Sequence, residues 1–439
     1  MTRLDAQYMS AHWMPYTSNR AFKQDPRIID RAEGCYFYTP DGRQIFDGLS
    51  GLWCCGAGHS HPRIAEAVAK QLGKLDYSPG FQFAHPLSFE LANRVVEIMP
   101  EGLNHVFFTN SGSECTDTSL KIARAYWREV GRPSKTKLIG RIKGYHGVNI
   151  GGTSLGGIGP NRQQYGPLLD VDHLSSTLLA ENAYIRGMPQ YGAHLAEELE
   201  ALVTLHGADT IAAVMVEPMS GSAGVVVPPA GYLQRLRQIC DSHESLLIFD
   251  EVITGLGRVG SLTAAEEFGV VPDILNVAKQ LTNGAIPLGA VVVTDDIYQA
   301  FMDTPRPEHV VELSHGYTYS GHPVACAAGL AALDLLQADG LIEQSRALAP
   351  YFETGLHALR GAAHICDIRN CGLAGAVQLE PRDGDPTVRP YEVGVKMWES
   401  GFYVRWGGDT VQFGPPFVSQ PAQLDALFGA FADAIAGIS

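Results

Sequence analysis

Long hydrophobic runs are missing from this sequence, and none approaches the roughly 20 residues that a membrane-spanning helix requires. The amino terminus, MTRLDAQYMSAHWMPYTSNR, also lacks the apolar core of a secretory signal. The 8 cysteines are scattered without C-x-x-C spacing, which argues against a zinc site and against a disulfide framework. We therefore expect a cytoplasmic protein with reduced thiols, no membrane association and no bound metal.

Positive charge is also scarce in this chain. Only 32 Lys and Arg residues face 47 Asp and Glu residues, so the formal net charge is −15. Such an excess of negative charge argues against nucleic acid or an anionic membrane as a partner. The rest of the composition, with 45% hydrophobic and 18% charged residues over 439 positions, is typical of a globular protein of two or three domains.

The most informative stretch runs from residue 246 to residue 293. The apolar run 246–249 is followed by Asp250 and Glu251, and the apolar run 274–278 is followed by Lys279. Short apolar runs bounded by polar residues are typical of buried parallel strands, and ligands bind beyond the carboxyl ends of such strands. The pattern therefore predicts a carboxylate and an amine at one sheet edge.

An amine and a carboxylate in this arrangement suit pyridoxal phosphate (PLP). The lysine would bind the cofactor aldehyde, and the carboxylate would partner the protonated pyridine nitrogen. Each residue alone also has a structural interpretation, in which Asp250 caps a turn and Lys279 extends into solvent. The pair together favours the cofactor site.

Residues 255–260 match the dinucleotide-binding pattern G-x-G-x-x-G. That motif requires a sizeable helix directly afterwards, but Gly269 and Pro272 leave room for only about two turns. Asp250 and Glu251 also lie where a pyrophosphate would approach. We therefore predict that this motif does not bind a dinucleotide.

The chain is predicted to have an α/β fold, with a large, doubly wound, mostly parallel sheet domain and a smaller α+β domain. Residues 1–61 form an amino-terminal segment with a small hairpin that packs with the small domain. Strands and helices alternate over residues 62–323, the large domain, in which residues 151–190 are expected to be a long irregular stretch. Residues 324–439 form the small domain, where residues 402–405 and 411–413 are expected to pair as a hairpin.

Three residues between a strand and a helix, Ser111, Gly112 and Ser113, are candidates for anion binding at a helix amino terminus. Ser111 and Glu114 also match a capping box, so a plain helix start is the alternative. Thr318 precedes another helix and is a second phosphate-binding candidate.

Two further residues lie at predicted strand ends. Tyr145 could stack on a flat cofactor or pack in the core. Glu217 could hydrogen-bond the phenolic side of the cofactor through a neighbour, or form a surface pair. In the small domain, Arg405 suits bidentate capture of a substrate carboxylate, with a surface salt bridge as the alternative. Gln412 lies opposite Arg405 on the predicted hairpin and could assist.

With these residues in place, the sequence resembles the class III (ω-) aminotransferases of the fold-type I PLP family. Within that family the resemblance is strongest to the branch that transfers amino groups from β-alanine or other ω-amino acids to pyruvate. The matching stretches span about residues 11–418 and are HWMPYTSNR, FDGLSGLWCCGAGH, FTNSGSE, GYHG, VEPMSGSAGVVVPP, LLIFDEVITGLGR, AKQLTNGAIPLGAV, HGYTYSGHPVACAAG and GFYVRWGGDTVQFGP.

The resemblance implies a role for each matching residue. It implies that Lys279 binds the cofactor and shuttles a proton, that Asp250 pairs with the pyridinium nitrogen, and that Tyr145 and Val252 cover the two ring faces. It also implies the groups that contact the phosphate and the substrate. These are Ser111, Gly112 and Ser113 for the phosphate, Thr318 from the partner subunit of a homodimer, and Trp53, Arg405 and Gln412 for the substrate.

Other functions remain open on sequence grounds. One alternative is a class III aminotransferase with another donor and acceptor, such as 4-aminobutyrate and 2-oxoglutarate. A second is a fold-type I lyase or aminomutase that uses the same Lys279 and Asp250. A third is a non-catalytic binding module that keeps the cofactor fold. The assembly of dimers into tetramers is also left open.

Overall fold

The computed structural model describes residues 7–166 and 168–439. Residues 1–6, where the predicted amino-terminal segment begins, and Pro167, within the predicted irregular stretch, lie outside the described residues. The strands are β1 Arg31–Glu33, β2 Tyr36–Tyr38, β3 Gln44–Asp47, β4 Leu103–Thr109, β5 Lys137–Ile142, β6 Gly156–Gly157, β7 Val171–Leu174, β8 Ile211–Val216, β9 Leu246–Asp250, β10 Ile274–Val277, β11 Gly289–Thr294, β12 Ile365–Cys371, β13 Ala374–Leu379, β14 Phe402–Tyr403, β15 Arg405–Gly407 and β16 Thr410–Phe413.

Helices of varied length connect these strands. They are α1 Asn19–Gln24, α2 Ser50–Trp53, α3 Pro62–Lys74, α4 Pro86–Val96, α5 Gly112–Glu129, α6 Ile150–Leu155, α7 Gly159–Gln163, α8 Glu198–His206, α9 Tyr232–Ser242, α10 Ala264–Phe268, α11 Asp295–Met302, α12 Pro323–Gln337, α13 Leu341–His357, α14 Val388–Glu399 and α15 Pro421–Ala436. Short 3₁₀ turns occupy Ala180–Asn182, Ala193–Glu197 and Lys279–Thr282.

An 8-stranded sheet organises the middle of the chain, in the order β4-β11-β10-β9-β8-β5-β6, with β7 also paired to β5. The neighbours from β10 to β6 are parallel, and β11 runs antiparallel to both β10 and β4. Every residue of β8, β9 and β10 is buried, as expected for apolar strands covered on both faces. The prediction of a mostly parallel α/β sheet is therefore confirmed.

Two 4-stranded sheets lie outside the large one. The first has the order β1-β2-β3-β14, and the second has the order β12-β13-β16-β15. Strand β14 pairs in parallel with β3, so the amino-terminal hairpin is joined to the carboxyl-terminal part of the chain.

Two sequence expectations are corrected. Residues 151–190 are not a continuous irregular loop, because they contain most of α6, all of α7, and strands β6 and β7 along β5. Residues 402–405 do not form one hairpin strand: β14 joins the amino-terminal sheet, and of the two short strands only β15 pairs with β16. Both errors concern strands of 2–4 residues, which are too short for a periodic signal.

In the part of the chain that the structure describes, no single helix is both long and apolar enough to cross a membrane. Length and composition would allow only the bent pair α12 and α13, whose axes differ by 59°.

Candidate active site

Lys279 and Asp250 lie at the same edge of the large sheet. Asp250 is the last residue of β9 and is paired in register with Asn276 of the adjacent parallel strand β10. Lys279 follows shortly after β10 and begins the 3₁₀ turn Lys279–Thr282. Its φ of 25° is unusual for a residue other than glycine, and such backbone strain concentrates at functional sites. Both side chains line one cavity, as the sequence predicts.

The surroundings of Lys279 favour its neutral amine. Burial lowers the pKa of Lys279, and the positive charge of Arg405 lowers it further. The negative charges of Cys54, Asp250 and Glu217 act in the opposite direction. The net depression of the pKa increases the fraction of neutral lysine near neutral pH, which is the form that can act as a nucleophile or a base.

Asp250 is held by a histidine that sequence reasoning did not single out. His146 Nδ1 lies 2.8 Å from Asp250 Oδ2, and the backbone N–H of Val252 donates to Asp250 Oδ1 at 3.1 Å. His146 is buried, and its Nε2 has no hydrogen-bond partner among the described residues. The available signal was its position directly after Tyr145, in the loop that follows β5.

Glu217 lines the cavity and connects two loops. Its carboxylate accepts hydrogen bonds from the backbone N–H groups of Tyr145 at 2.9 Å and Gly221 at 3.1 Å. Burial raises its pKa to about 7, so protonated and ionised forms coexist near neutrality. Because Glu217 is buried, the alternative of a surface pair is excluded.

The amino terminus of α5 forms another wall of the cavity. Ser111 is the N-cap and accepts from the backbone N–H of Glu114 at 3.2 Å, which confirms the interpretation as a helix start, and anion binding stays a prediction. Gly112 and Ser113 line the cavity. A Cβ at Gly112 would come within 2.8 Å of a methyl group of Val252, so only glycine allows this close approach. The positive end of an 18-residue helix thus borders the cavity.

The cavity as a whole has the features that PLP requires. A helix amino terminus for a phosphate, a buried carboxylate for a pyridinium nitrogen and an amine for an aldehyde all border one space. Its lining consists of Gly112, Ser113, Tyr145, His146, Gly147, Glu217, Asp250, Val252, Ile253 and Lys279. Donors and acceptors of the right chemistry are therefore present, and the residues fit the cofactor.

The predicted site residues Arg405, Gln412 and Thr318 do not line this cavity. Arg405 lines a groove of about 410 Å³ together with Tyr16 and Trp406, and it is paired in register with Gln412. Gln412 is buried, its Nε2 donates to the carbonyl of Ser222 at 3.1 Å, and its Oε1 has no hydrogen-bond partner within the described ranges. Thr318 is exposed to solvent, and its backbone carbonyl accepts a hydrogen bond from the Tyr77 hydroxyl at 3.0 Å.

Trp53 lies apart from the cavity lining. Its side chain is buried, and its ring packs against Gly414. The centre of the ring lies 5.6 Å from the guanidinium carbon of Arg258. Its assignment as a substrate contact therefore stays a prediction.

The glycine-rich residues 255–260 lack the helix that a dinucleotide site needs. The helix that follows, α10, has 5 residues. Its first N–H groups are already bonded, because the carboxylate of Glu251 accepts from the backbone of Ala264 and, at 2.8 Å, of Ala265. This geometry agrees with the prediction that the motif does not bind a dinucleotide.

Comparison with known proteins gives the class. The profile of the family described as "Aminotransferase class-III" matches residues 17–435. The chain therefore belongs to the class III aminotransferases, PLP-dependent enzymes of fold-type I.

Among its relatives, the chain is 64% identical to the β-alanine–pyruvate aminotransferase of Pseudomonas aeruginosa, over 98% of this chain and 96% of the relative. It is 60% identical to the ω-amino acid–pyruvate aminotransferase of Pseudomonas putida, over 97% and 96%. The crystal structure of the ω-transaminase from Pseudomonas jessenii in complex with PMP matches with a TM-score of 0.93 at 32% identity, covering 99% of this chain and 98% of that one.

Proposed function

We propose that this enzyme transfers the amino group of β-alanine, or of another ω-amino acid or primary amine, to pyruvate. The products are alanine and a semialdehyde or aldehyde. The observation that carries the proposal is the shared cavity of Lys279, the Asp250–His146 pair and the α5 amino terminus. The choice of substrates is supported by the names of the relatives at 64% and 60% identity.

When bound, PLP supplies an electron sink that lets a C–H bond beside the substrate nitrogen break. Ser111, Gly112 and Ser113 would hold its phosphate, Asp250 would partner its ring nitrogen, and Tyr145 and Val252 would flank its ring. Glu217 would fix the backbone of Tyr145, with which it already shares a hydrogen bond.

Lys279 would both attach the cofactor and move the proton. Its pKa is depressed by burial, so its Nζ can accept a proton near neutral pH and return it to a different carbon. Asp250 is held in place by His146 and the N–H of Val252, which both lie within hydrogen-bonding distance of its carboxylate. This arrangement fixes the carboxylate where the ring nitrogen would bind.

Arg405 would bind the substrate carboxylate, and Gln412 and Trp53 would shape the surroundings. The guanidinium of Arg405 stands on β15 and acts electrostatically on both Lys279 and Tyr145. A fixed guanidinium binds a carboxylate with two parallel hydrogen bonds, which distinguishes β-alanine and pyruvate from simple amines.

The proposal includes a homodimer in the cytoplasm. Thr318 is exposed and lies outside the cavity lining of its own chain, so it is free to reach the phosphate site of a second subunit. The proposal also divides the chain into an amino-terminal segment (residues 1–61), a large domain (62–323) and a small domain (324–439). The pairing of β14 with β3 supports the packing of the amino-terminal segment with the small domain.

The test is a comparison of initial rates on β-alanine with pyruvate and with 2-oxoglutarate. We expect a clear preference for pyruvate and one alanine formed for each pyruvate consumed. A preference for 2-oxoglutarate would replace this proposal by a different donor and acceptor pair. Turnover of the amine without alanine formation would indicate a lyase or an aminomutase. Unchanged turnover in Lys279→Ala would overturn the assignment of the catalytic lysine.

A further inference from the structure

Two adjacent cysteines, Cys54 and Cys55, pack against the turn that carries Lys279. Their sulfur atoms are 3.9 Å apart. Both sulfurs face Gly284, where a Cβ would come within 3.0 Å of the Cys54 sulfur and 3.1 Å of the Cys55 sulfur. The N–H of Gly284 in turn donates to the carbonyl of Lys279 at 3.2 Å. The two thiols are therefore in contact with the end of the Lys279 turn.

Hydrogen bonds connect the segment after Cys55 to the same turn. The N–H of Gly56 donates to the side chain of Gln280 at 2.8 Å, and the N–H of Ala57 donates to the side chain of Asn283 at 2.9 Å. The side-chain amide of Asn283 donates back to the carbonyl of Gly58 at 2.8 Å. A shift of the backbone at Cys54 and Cys55 would thus be transmitted to the turn.

The two thiols differ in reactivity. Cys54 is partly exposed, and its pKa is lowered, first by the hydrogen bond with Cys55 and then by neighbours that include the positive charge of Lys279. Burial and the interaction with Cys54 raise the pKa of the Cys55 thiol. In each of the other 6 cysteines, all within the described residues, the pKa is raised by burial. Cys54 is thus the thiolate-forming cysteine of the chain.

From this contact geometry we propose that Cys54 and Cys55 form a reversible oxidation site for hydroperoxides. The Cys54 thiolate attacks one peroxide oxygen, the O–O bond breaks, and the departing oxygen takes up a proton and leaves as water or an alcohol. Cys54 is then a sulfenic acid. The Cys55 sulfur attacks the Cys54 sulfur, the S–O bond breaks, and water leaves with the thiol proton of Cys55. Two electrons pass from the sulfurs to the peroxide.

The product is a disulfide between neighbouring residues. Consecutive Cα atoms are about 3.8 Å apart, which is shorter than the usual Cα separation of about 4.4–6.8 Å in disulfides. The resulting strain makes the bond easy to reduce. Forming this bond also shifts the backbone at Cys54 and Cys55, and the hydrogen bonds of Gly56 and Ala57 to Gln280 and Asn283 transmit the shift to the turn that carries Lys279. We expect a reversible loss of transamination, a consequence that rests on the proposed function, whereas the disulfide itself does not.

The test treats the holoenzyme with hydrogen peroxide, alkylates the remaining thiols and measures peptide masses over time. We expect the peptide with Cys54 and Cys55 to lose two hydrogens about tenfold faster than Cys366 is oxidised, and dithiothreitol to reverse the change. Cys366 is a matched single thiol, because it is also partly exposed and, among the described residues, bonds only a backbone carbonyl, that of Gln378 at 3.5 Å.

Three variants complete the experiment. Cys54→Ser should abolish rapid oxidation, and Cys55→Ser should leave a sulfenic acid at Cys54 that dimedone traps. Cys366→Ser should form the Cys54–Cys55 disulfide at the wild-type rate. Oxidation of Cys54 no faster than that of Cys366, or its conversion to sulfinic acid without a disulfide in the wild type, would overturn the proposal. A disulfide with an unchanged transamination rate would support the site and disprove its effect on Lys279.

Discussion

Nδ1 of His146 lies 2.8 Å from Oδ2 of Asp250, and both side chains are buried. The contact joins the loop after β5 to the end of β9, across two strands that are not neighbours in the sheet. A buried carboxylate with such a partner is fixed in position. The pair therefore sets the position and the orientation of the carboxylate that a ring nitrogen would meet.

The first prediction concerns His146 as a positioning residue. A hydrogen bond to a charged group contributes about 1.5–3 kcal/mol, so His146→Ala should lower kcat/KM roughly ten- to 150-fold. Asp250→Asn should lower it further, because that carboxylate would touch the cofactor. Steady-state rates, PLP affinity and the pH profile of kcat/KM are the measurements. His146→Gln, which keeps a donor, should recover part of the loss. If His146→Ala lowers the melting temperature but leaves kcat/KM and its pH profile unchanged, His146 has only a structural role.

The second prediction concerns the pH dependence of stability at Glu251. Burial raises its pKa from 4.5 to about 7, although it accepts the N–H groups of Ala264 and Ala265. The native state thus binds this proton more tightly than the unfolded chain does. The stabilisation is complete below about pH 4.5 and is lost as the pH rises through about 7. As the pH rises over this range, the wild type should therefore lose unfolding free energy relative to Glu251→Gln.

Denaturant titrations at several pH values measure that difference. The matched control is Glu266→Gln, which removes an exposed carboxylate from α10, the short helix whose first N–H groups bond Glu251. Its stability profile should run parallel to that of the wild type. Parallel profiles for Glu251→Gln as well would show that this carboxyl does not titrate in the predicted range.

The sequence was sufficient for the elements that rest on local patterns. The apolar runs before Asp250 and Lys279 predict β9 and β10, because buried parallel strands are continuously apolar and end in polar residues. Pro323 and the Ala- and Leu-rich residues after it likewise predict α12. These features need no information about distant parts of the chain.

Contacts between distant parts of the chain could not be predicted from the sequence. The pairing of β14 with β3 joins residues more than 350 positions apart, and a two-residue strand gives no periodic signal. His146 was missed for the same reason, since its partner Asp250 lies 104 positions away. The burial of Trp53 depends on packing against Gly414, which a motif match does not reveal.

The third prediction assigns carboxylate recognition to Arg405. Arg405→Ala should lower kcat/KM for β-alanine and for pyruvate by roughly ten- to 150-fold, because each loses a charge-assisted hydrogen bond. The kcat/KM of a small arylalkyl amine, which has no carboxylate, should change much less. In a ping-pong reaction, kcat/KM for each donor reports its own half-reaction, so the comparison of donors isolates the effect.

Arg27→Ala is the matched control for Arg405, because Arg27 lines the same groove and its guanidinium lies 5.9 Å from the ring of Trp406. It should leave the preference for carboxylate-bearing donors unchanged. An equal or larger selective loss in Arg27→Ala would move the assignment to Arg27. Equal losses on all donors in Arg405→Ala would indicate that Arg405 acts on Lys279 rather than on the substrate.

The fourth prediction tests whether Thr318 acts on the partner subunit. If it does, a hybrid dimer of one Lys279→Ala subunit and one Thr318→Ala subunit contains one intact site, made from the unmodified Lys279 and the unmodified Thr318. The other site carries both changes. When PLP is limiting, the re-associated mixture should then be more active than either parent homodimer. The reason is that half of the sites in the hybrid keep the wild-type affinity for the cofactor. Differently tagged subunits allow the hybrid to be purified for this measurement.

The opposite arrangement gives a different result. If Thr318 served its own subunit, the hybrid would have one site without the lysine and one with the weakened phosphate site, so its PLP affinity would equal that of Thr318→Ala. Thr304→Ala controls for the loss of a hydroxyl, because the Thr304 hydroxyl donates to the carbonyl of Ala300 at 2.9 Å. Because the two arrangements predict different cofactor affinities for the same mixture, the PLP affinity of the hybrid decides between them.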